Sequence, residues 1–176
     1  MTIGKFASLA LASLVLAGCG SSARDRQAAS YCPPPLTVQD AQSLTRFKEG
    51  PGRDPRDVVF EASLSGAGTK CQLSRNRLEV DVLLRITVNA GPSVGTGVTR
   101  VPFFVRVLDA NGAVVQGSDQ LADYKISPAS PRGVSQEEMA VTLPFSNISD
   151  LGGYRIAVGL KPSQQELEYN RRSGAR

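Results

Sequence analysis

The stretch LEVDVLLRITVN, residues 78–89, constrains the fold more than any other part of the chain. Leu78, Val80, Val82, Leu84, Ile86 and Val88 alternate with Glu79, Asp81, Leu83, Arg85 and Thr87. A period of two over that length is the signature of a strand with one dry face and one wet face. A helix would scatter these apolar residues around its whole circumference. Other segments repeat the pattern. Val58, Phe60, Ala62 and Leu64 point one way, and Val101, Phe103, Val105 and Val107 form a second set. Met139, Val141 and Leu143 form a third, and Tyr154, Ile156, Val158 and Leu160 a fourth. Leu121–Ile126 reads as a weaker strand.

Turn signals separate these runs. GAGT at 66–69 reads as a turn into a short strand at 70–74, and AGPSVGTGVT at 90–99 as a glycine-rich connection. Asn111-Gly112 is a strong hairpin signal. SPASPRGVSQ at 127–136 reads as a loop, and Pro102 marks a strand start or an edge. Six to eight closely spaced strands predict an all-β chain folded as an antiparallel β-sandwich. Tyr154, entering a late strand just after a turn, resembles the tyrosine corner of immunoglobulin and fibronectin-like folds, where the hydroxyl bonds to upstream backbone. That resemblance covers residues 57–160 and implies architecture alone.

The flanks read differently. CPPPL at 32–36 favours extended polyproline backbone. Val38, Ala41, Leu44 and Phe47 recur at spacings of three, the pattern of a short helix with an irregular segment as the alternative, and KEGPGRDPRD at 48–57 reads as an exposed loop. Near the C-terminus, Ser163 and Glu166 stand at capping-box spacing, with Arg171, Arg172 and Gly174 suited to a helix end. One short C-terminal helix is expected there.

The N-terminus begins with one charge, Lys5, followed by an apolar run from Phe6 to Leu16. That run is too short to span a bilayer, which takes about 20 residues, and it has the form of a secretory signal. It ends Leu16-Ala17-Gly18-Cys19, which resembles the lipobox of bacterial lipoproteins. The resemblance implies that a diacylglycerol is attached to the Cys19 thiol. Cleavage before Cys19 then follows, with acylation of the new amino group by a palmitate-type chain. Three chains give firm anchoring where one would not. Gly20 in place of Asp leans toward the outer membrane, facing the periplasm. The stretches YCPPPLTVQDAQSLTRF, DVVFEASLSG and KCQL resemble uncharacterised envelope lipoproteins of alphaproteobacteria. On this reading residues 1–18 are a signal peptide, 19–30 a flexible tether reaching on the order of 20 Å, and 31–176 a single domain.

With Cys19 assigned to lipid, Cys32 and Cys71 remain in an oxidising compartment and are expected to pair. The alternative is two free buried thiols. A bridge closing about 40 residues is worth roughly 4 kcal/mol.

Composition limits function. Losing Lys5 with the leader leaves 19 basic against 16 acidic residues, a formal charge of +3, too balanced for a nucleic-acid partner. The chain has no His, the commonest general base and metal ligand. GAGTK at 66–70 lacks the Gly-Lys-Ser/Thr ending of a phosphate loop. Asp109-Ala110-Asn111-Gly112 lacks the later acid of a calcium loop. Glu79 and Asp81 share a solvent face, Asp54 and Asp57 lie in a charged loop, and no Ser sits in a nucleophile elbow. Asn147 heads a glycosylation sequon that a bacterial lipoprotein rarely uses. No catalytic residue, metal or cofactor is expected.

Two functions follow. One is a non-enzymatic, membrane-anchored binding or assembly module for another envelope protein, presenting loops or an edge strand. The other is a ligand-binding or hydrolytic lipoprotein acting on cell-wall or glycan material, with Arg85, Arg100 and Arg106 gripping an anion. Phe104, opposite in direction to Phe103, would share an outer face with Pro102, Leu108 and Leu83. That face would either receive a partner or be covered by residues 36–50 or by the tail helix.

Overall fold

The computed structural model describes residues 23–50 and 53–174. Two four-stranded sheets pack face to face, so the chain is an all-β sandwich with a short C-terminal helix. In chain order the elements are α1 (Ala23–Tyr31), β1 (Pro35–Thr37), β2 (Ser43–Phe47), β3 (Val58–Leu73) and β4 (Arg77–Ala90). After these come β5 (Thr99–Leu108), β6 (Val114–Tyr124), β7 (Arg132–Pro144), β8 (Arg155–Leu160) and α2 (Gln164–Gly174). One sheet runs β1-β8-β5-β6 and the other β2-β3-β4-β7. All pairings are antiparallel except β1 on β8, which is parallel.

The alternation read from β4 is realised: Leu78, Val80, Val82, Leu84, Ile86 and Val88 are all 0% exposed. Across the interface they meet Val101, Phe103, Val105 and Val107 of β5 and Ile156, Val158 and Leu160 of β8. Each such side chain contributes about 1.5–3 kcal/mol relative to exposure. From Ile156 to Leu160, β8 is buried on both faces because its outward positions there, Ala157 and Gly159, are small. A Cβ at Gly159 would come within 2.7 Å of the Ala41 Cβ and 2.9 Å of the Phe104 ring. Only a residue without a side chain lets that strap and ring close over the strand.

Pro102 sits inside β5, not at an edge. The Lys161 amide donates to its carbonyl (2.8 Å), so its backbone faces the β8 side just where β8 has ended. The missing N–H leaves the Lys161 carbonyl without the return bond, and the ladder between β5 and β8 stops there. The Tyr154 hydroxyl donates to the Pro144 carbonyl, ten residues upstream, at 3.0 Å.

Four expectations are corrected. Residues 38–47 form a 3-10 turn (Gln39–Ala41) and strand β2, not a helix, because β2 gains a ladder of bonds to β3. GAGT does not turn the chain. Strand β3 runs through it, taking up Ser65 in a bulge between Leu64 and Gly66 that shifts the inward set to Ala67, Thr69, Cys71 and Leu73. Residues 132–136 are not loop but the start of β7, paired with Arg85–Asn89. Residues 23–30 are not a loose tether. They form α1 against β3, with Ala28 1% exposed in the core.

Candidate functional site at the open edge

The two long sides of the sandwich are built differently. On one, the chain passes from β1 at the edge of the first sheet, through the Gln39–Ala41 turn, into β2 at the edge of the second. Cys32 and Cys71 are joined by a disulfide with a Cα–Cα distance of 5.7 Å, and the Thr69 hydroxyl donates to the Pro33 carbonyl at 3.0 Å. Helix α2 lies over β2 and the turn. Its capping box forms as the spacing implies: the Ser163 amide donates to the Glu166 carboxylate (2.7 Å) and the Glu166 amide to the Ser163 hydroxyl (3.4 Å). The same buried carboxylate pairs with Arg46. Asn170 donates to the Ser43 carbonyl (2.7 Å) and Arg171 pairs with Asp40 (2.9 Å).

On the other side the chain also crosses between sheets, through residues 125–131 from β6 to β7, but among the described residues no disulfide or helix lies over it. Strands β6 and β7 end their sheets, with no further strand beside them among the described residues. They touch at one end, where the Tyr124 hydroxyl and Ser135 hydroxyl share a hydrogen bond. Burial, with a smaller push from the Glu137 charge, raises the Tyr124 pKa above the ordinary phenol value, although the Ser135 bond partly offsets it. Beyond that contact the strands part around an open cleft of ≈ 370 Å³. Its floor is Phe103, Val105, Met139 and Val141, and Gln116, Ser118, Gln120 and Glu137 line its walls. No hydrogen bond or ion pair to another described residue engages the Glu137 carboxylate.

Strand alternation tells which backbone groups are unused. Pro102 faces β8, so Phe103, Val105 and Val107 face β6 and bond Gln120, Ser118 and Gln116. The peptide groups of Gly117, Asp119, Leu121 and Asp123 then point outward. On β7 the Ala90 amide donates to the Pro131 carbonyl, which fixes the even residues of β4 toward β7. The peptide groups of Gln136, Glu138, Ala140 and Thr142 therefore point away from β4. Exposed Leu121 (60%), Val114, Val115 and Val134 flank these rows.

The residues singled out from sequence fall elsewhere. Cys19 lies outside the described residues. Arg85 stands exposed on the outer face of the β4 sheet, whereas Arg100 and Arg106 lie on the outer face of the β5 sheet, across the core. The three therefore do not converge on one ligand. Arg100 faces Asp123 at 3.6 Å with both side chains in solvent. Arg106 stacks over Phe104 (5.2 Å to the ring centre), donates to the Ser118 carbonyl (2.8 Å) and pairs with Asp119. Asp119 also pairs with Lys161, and the two cations, Lys161 foremost, hold its carboxyl below the usual carboxylate value.

Phe104 floors a shallow depression of ≈ 420 Å³ with Ala41, Leu160 and Leu167. Both the 39–41 turn and α2 crowd it, and Leu83, on the opposite sheet, takes no part. Glu79 pairs with Arg77 (2.8 Å) on the β4 outer face. Asp54 pairs with Arg56 (3.0 Å), which holds the Asp54 carboxyl below its ordinary value. The Asp109 carboxylate accepts the Asn111 and Ala113 amides (2.9 Å each), closing the β5–β6 turn with Gly112 at φ +81°. Among the described residues no group of three or more acidic or cysteine side chains is placed to hold a metal. No helix among them is long and apolar enough to cross a membrane.

The cleft had a faint sequence signal. On β6 the inward positions Gln116, Ser118 and Gln120 are polar, so the strand lacks the dry face its neighbours show. No protein-family profile matches this chain, and neither the curated proteins nor the solved structures contain a match.

Proposed function

We propose that this protein is a lipid-anchored component of the bacterial cell envelope whose sandwich is a non-enzymatic binding or assembly module for another envelope protein. The lipobox-like Leu16-Ala17-Gly18-Cys19 supports the address, on the outer membrane facing the periplasm. The Cys32–Cys71 disulfide is in keeping with an oxidising compartment.

One observation carries the binding role: the pair of unpartnered edge strands around a cleft with an apolar floor. An incoming extended segment gains main-chain hydrogen bonds along an edge and side-chain burial at alternate positions. Glu137, facing the cleft without a partner among the described residues, favours a segment that places a Lys or Arg there. Photo-crosslinking residues placed at Gln120 and Glu138 in living cells test this, with Arg85 as the control face. One protein is expected at both edge positions and absent at Arg85. Equal capture at all three positions, or capture at Arg85 alone, overturns the reading.

A further inference from the structure

The docking of α1 changes what a lipid at Cys19 can do. A chain that ran free from residue 20 to Cys32 would let the body stand as far as ~45 Å from its anchor. That freedom is removed. Helix α1 starts at Ala23, Ala28 is buried against the core, and the disulfide at Cys32 fastens the chain just past the helix to β3. Nine residues do not hold a helix in isolation, so α1 persists because it is packed. What remains between Cys19 and the helix is Gly20-Ser21-Ser22. Four Cα–Cα steps span at most about 14 Å.

We infer that the sandwich lies directly on the bilayer, with the surface around the start of α1 facing the lipid headgroups. This rests on the lipid-anchor reading of Cys19. The partner surface is the membrane itself. Arg26, exposed in the first turn of the helix, is a cationic side chain of the kind that anionic headgroups attract. The arrangement also limits the envelope partner to one that reaches the membrane surface.

Neutron reflectometry of the full lipidated chain on a supported bilayer containing anionic lipid tests the inference. Two variants accompany it: twelve Gly/Ser residues inserted after Ser22, and Ala28→Asp to expel α1 from the core. The native body should begin within about 14 Å of the headgroups. The insertion should raise that separation by roughly 20 Å, and Ala28→Asp should raise it as well. The insertion leaves the folded body untouched, so it decides the matter if Ala28→Asp misfolds. A native water gap beyond about 30 Å, more than twice the spacer's reach, or no change on insertion, overturns the inference. Intact mass separates the two failures: an unmodified Cys19 sinks the anchor itself, whereas an acylated chain that stands off sinks only the apposition.

Discussion

The two long sides of the sandwich carry the same kind of edge and treat it in opposite ways. Around β1 and β2 the chain crosses between sheets, a disulfide fastens the N-terminal segment, and both helices lie on top. Around β6 and β7 the chain crosses as well, through residues 125–131, but one shared side-chain hydroxyl bond joins the strands and, among the described residues, no strand pairs with the backbone beyond it. An exposed edge invites pairing with other chains, and proteins generally cover or blunt it. This protein covers one side and only partly blunts the other with Glu137 and Asp119. On the proposed reading, stability and availability for binding fall on different sides of one core.

Changes on the two sides should therefore differ in kind. The largest effect is expected from Cys32→Ser with Cys71→Ser, at a cost of about 2–5 kcal/mol in chemical denaturation; removing the open side's own fastening with Ser135→Ala should cost only about 1 kcal/mol. Next come the glycines. Gly159→Ala pushes a methyl into the Ala41 Cβ and the Phe104 ring and should cost about 1–3 kcal/mol. Gly117→Ala meets the flexible Arg106 side chain at 2.7 Å, which can swing aside, so its melting temperature should fall by less than that of Gly159→Ala. Ser163→Ala removes the α2 cap on the strapped side and should lower stability by about 1 kcal/mol.

The smallest effect is spectroscopic. Burial raises the Tyr124 pKa and the Ser135 bond only partly offsets it, so the stability contributed by the buried neutral phenol is complete below the ordinary phenol range and is lost as pH rises through the higher folded value. Alkaline titration of phenolate absorbance should show one late tyrosine that disappears in Tyr124→Phe; its persistence in that variant would remove Tyr124 as the fastening of the open side.

What could be read in advance follows the same division. Strands β4, β5 and β8 were legible because they sit inside their sheets, where alternation is enforced by the core on one face. The α2 capping box and the Cys32–Cys71 pair were legible because each is a local rule or an elimination among few residues. Strand β2 was not, since spacings of three at Val38, Ala41 and Leu44 suit a helix equally well and the deciding bonds come from β3. The bulge at Ser65 hid the continuity of β3, as glycines at 66 and 68 are also the residues of a turn. Helix α1 docks through Ala28 and the half-buried Tyr31, too few apolar positions to set a period. The cleft was least legible of all. Polar residues at Gln116, Ser118 and Gln120 look like a surface strand until Phe103 and Val105 are seen beneath them.

Both ends of the described chain depart from the strapped side, α1 along β3 and α2 along β2. An affinity handle or fluorescent reporter fused after α2 will therefore emerge on the far flank from β6 and β7, leaving those strands free to be probed in the tagged protein.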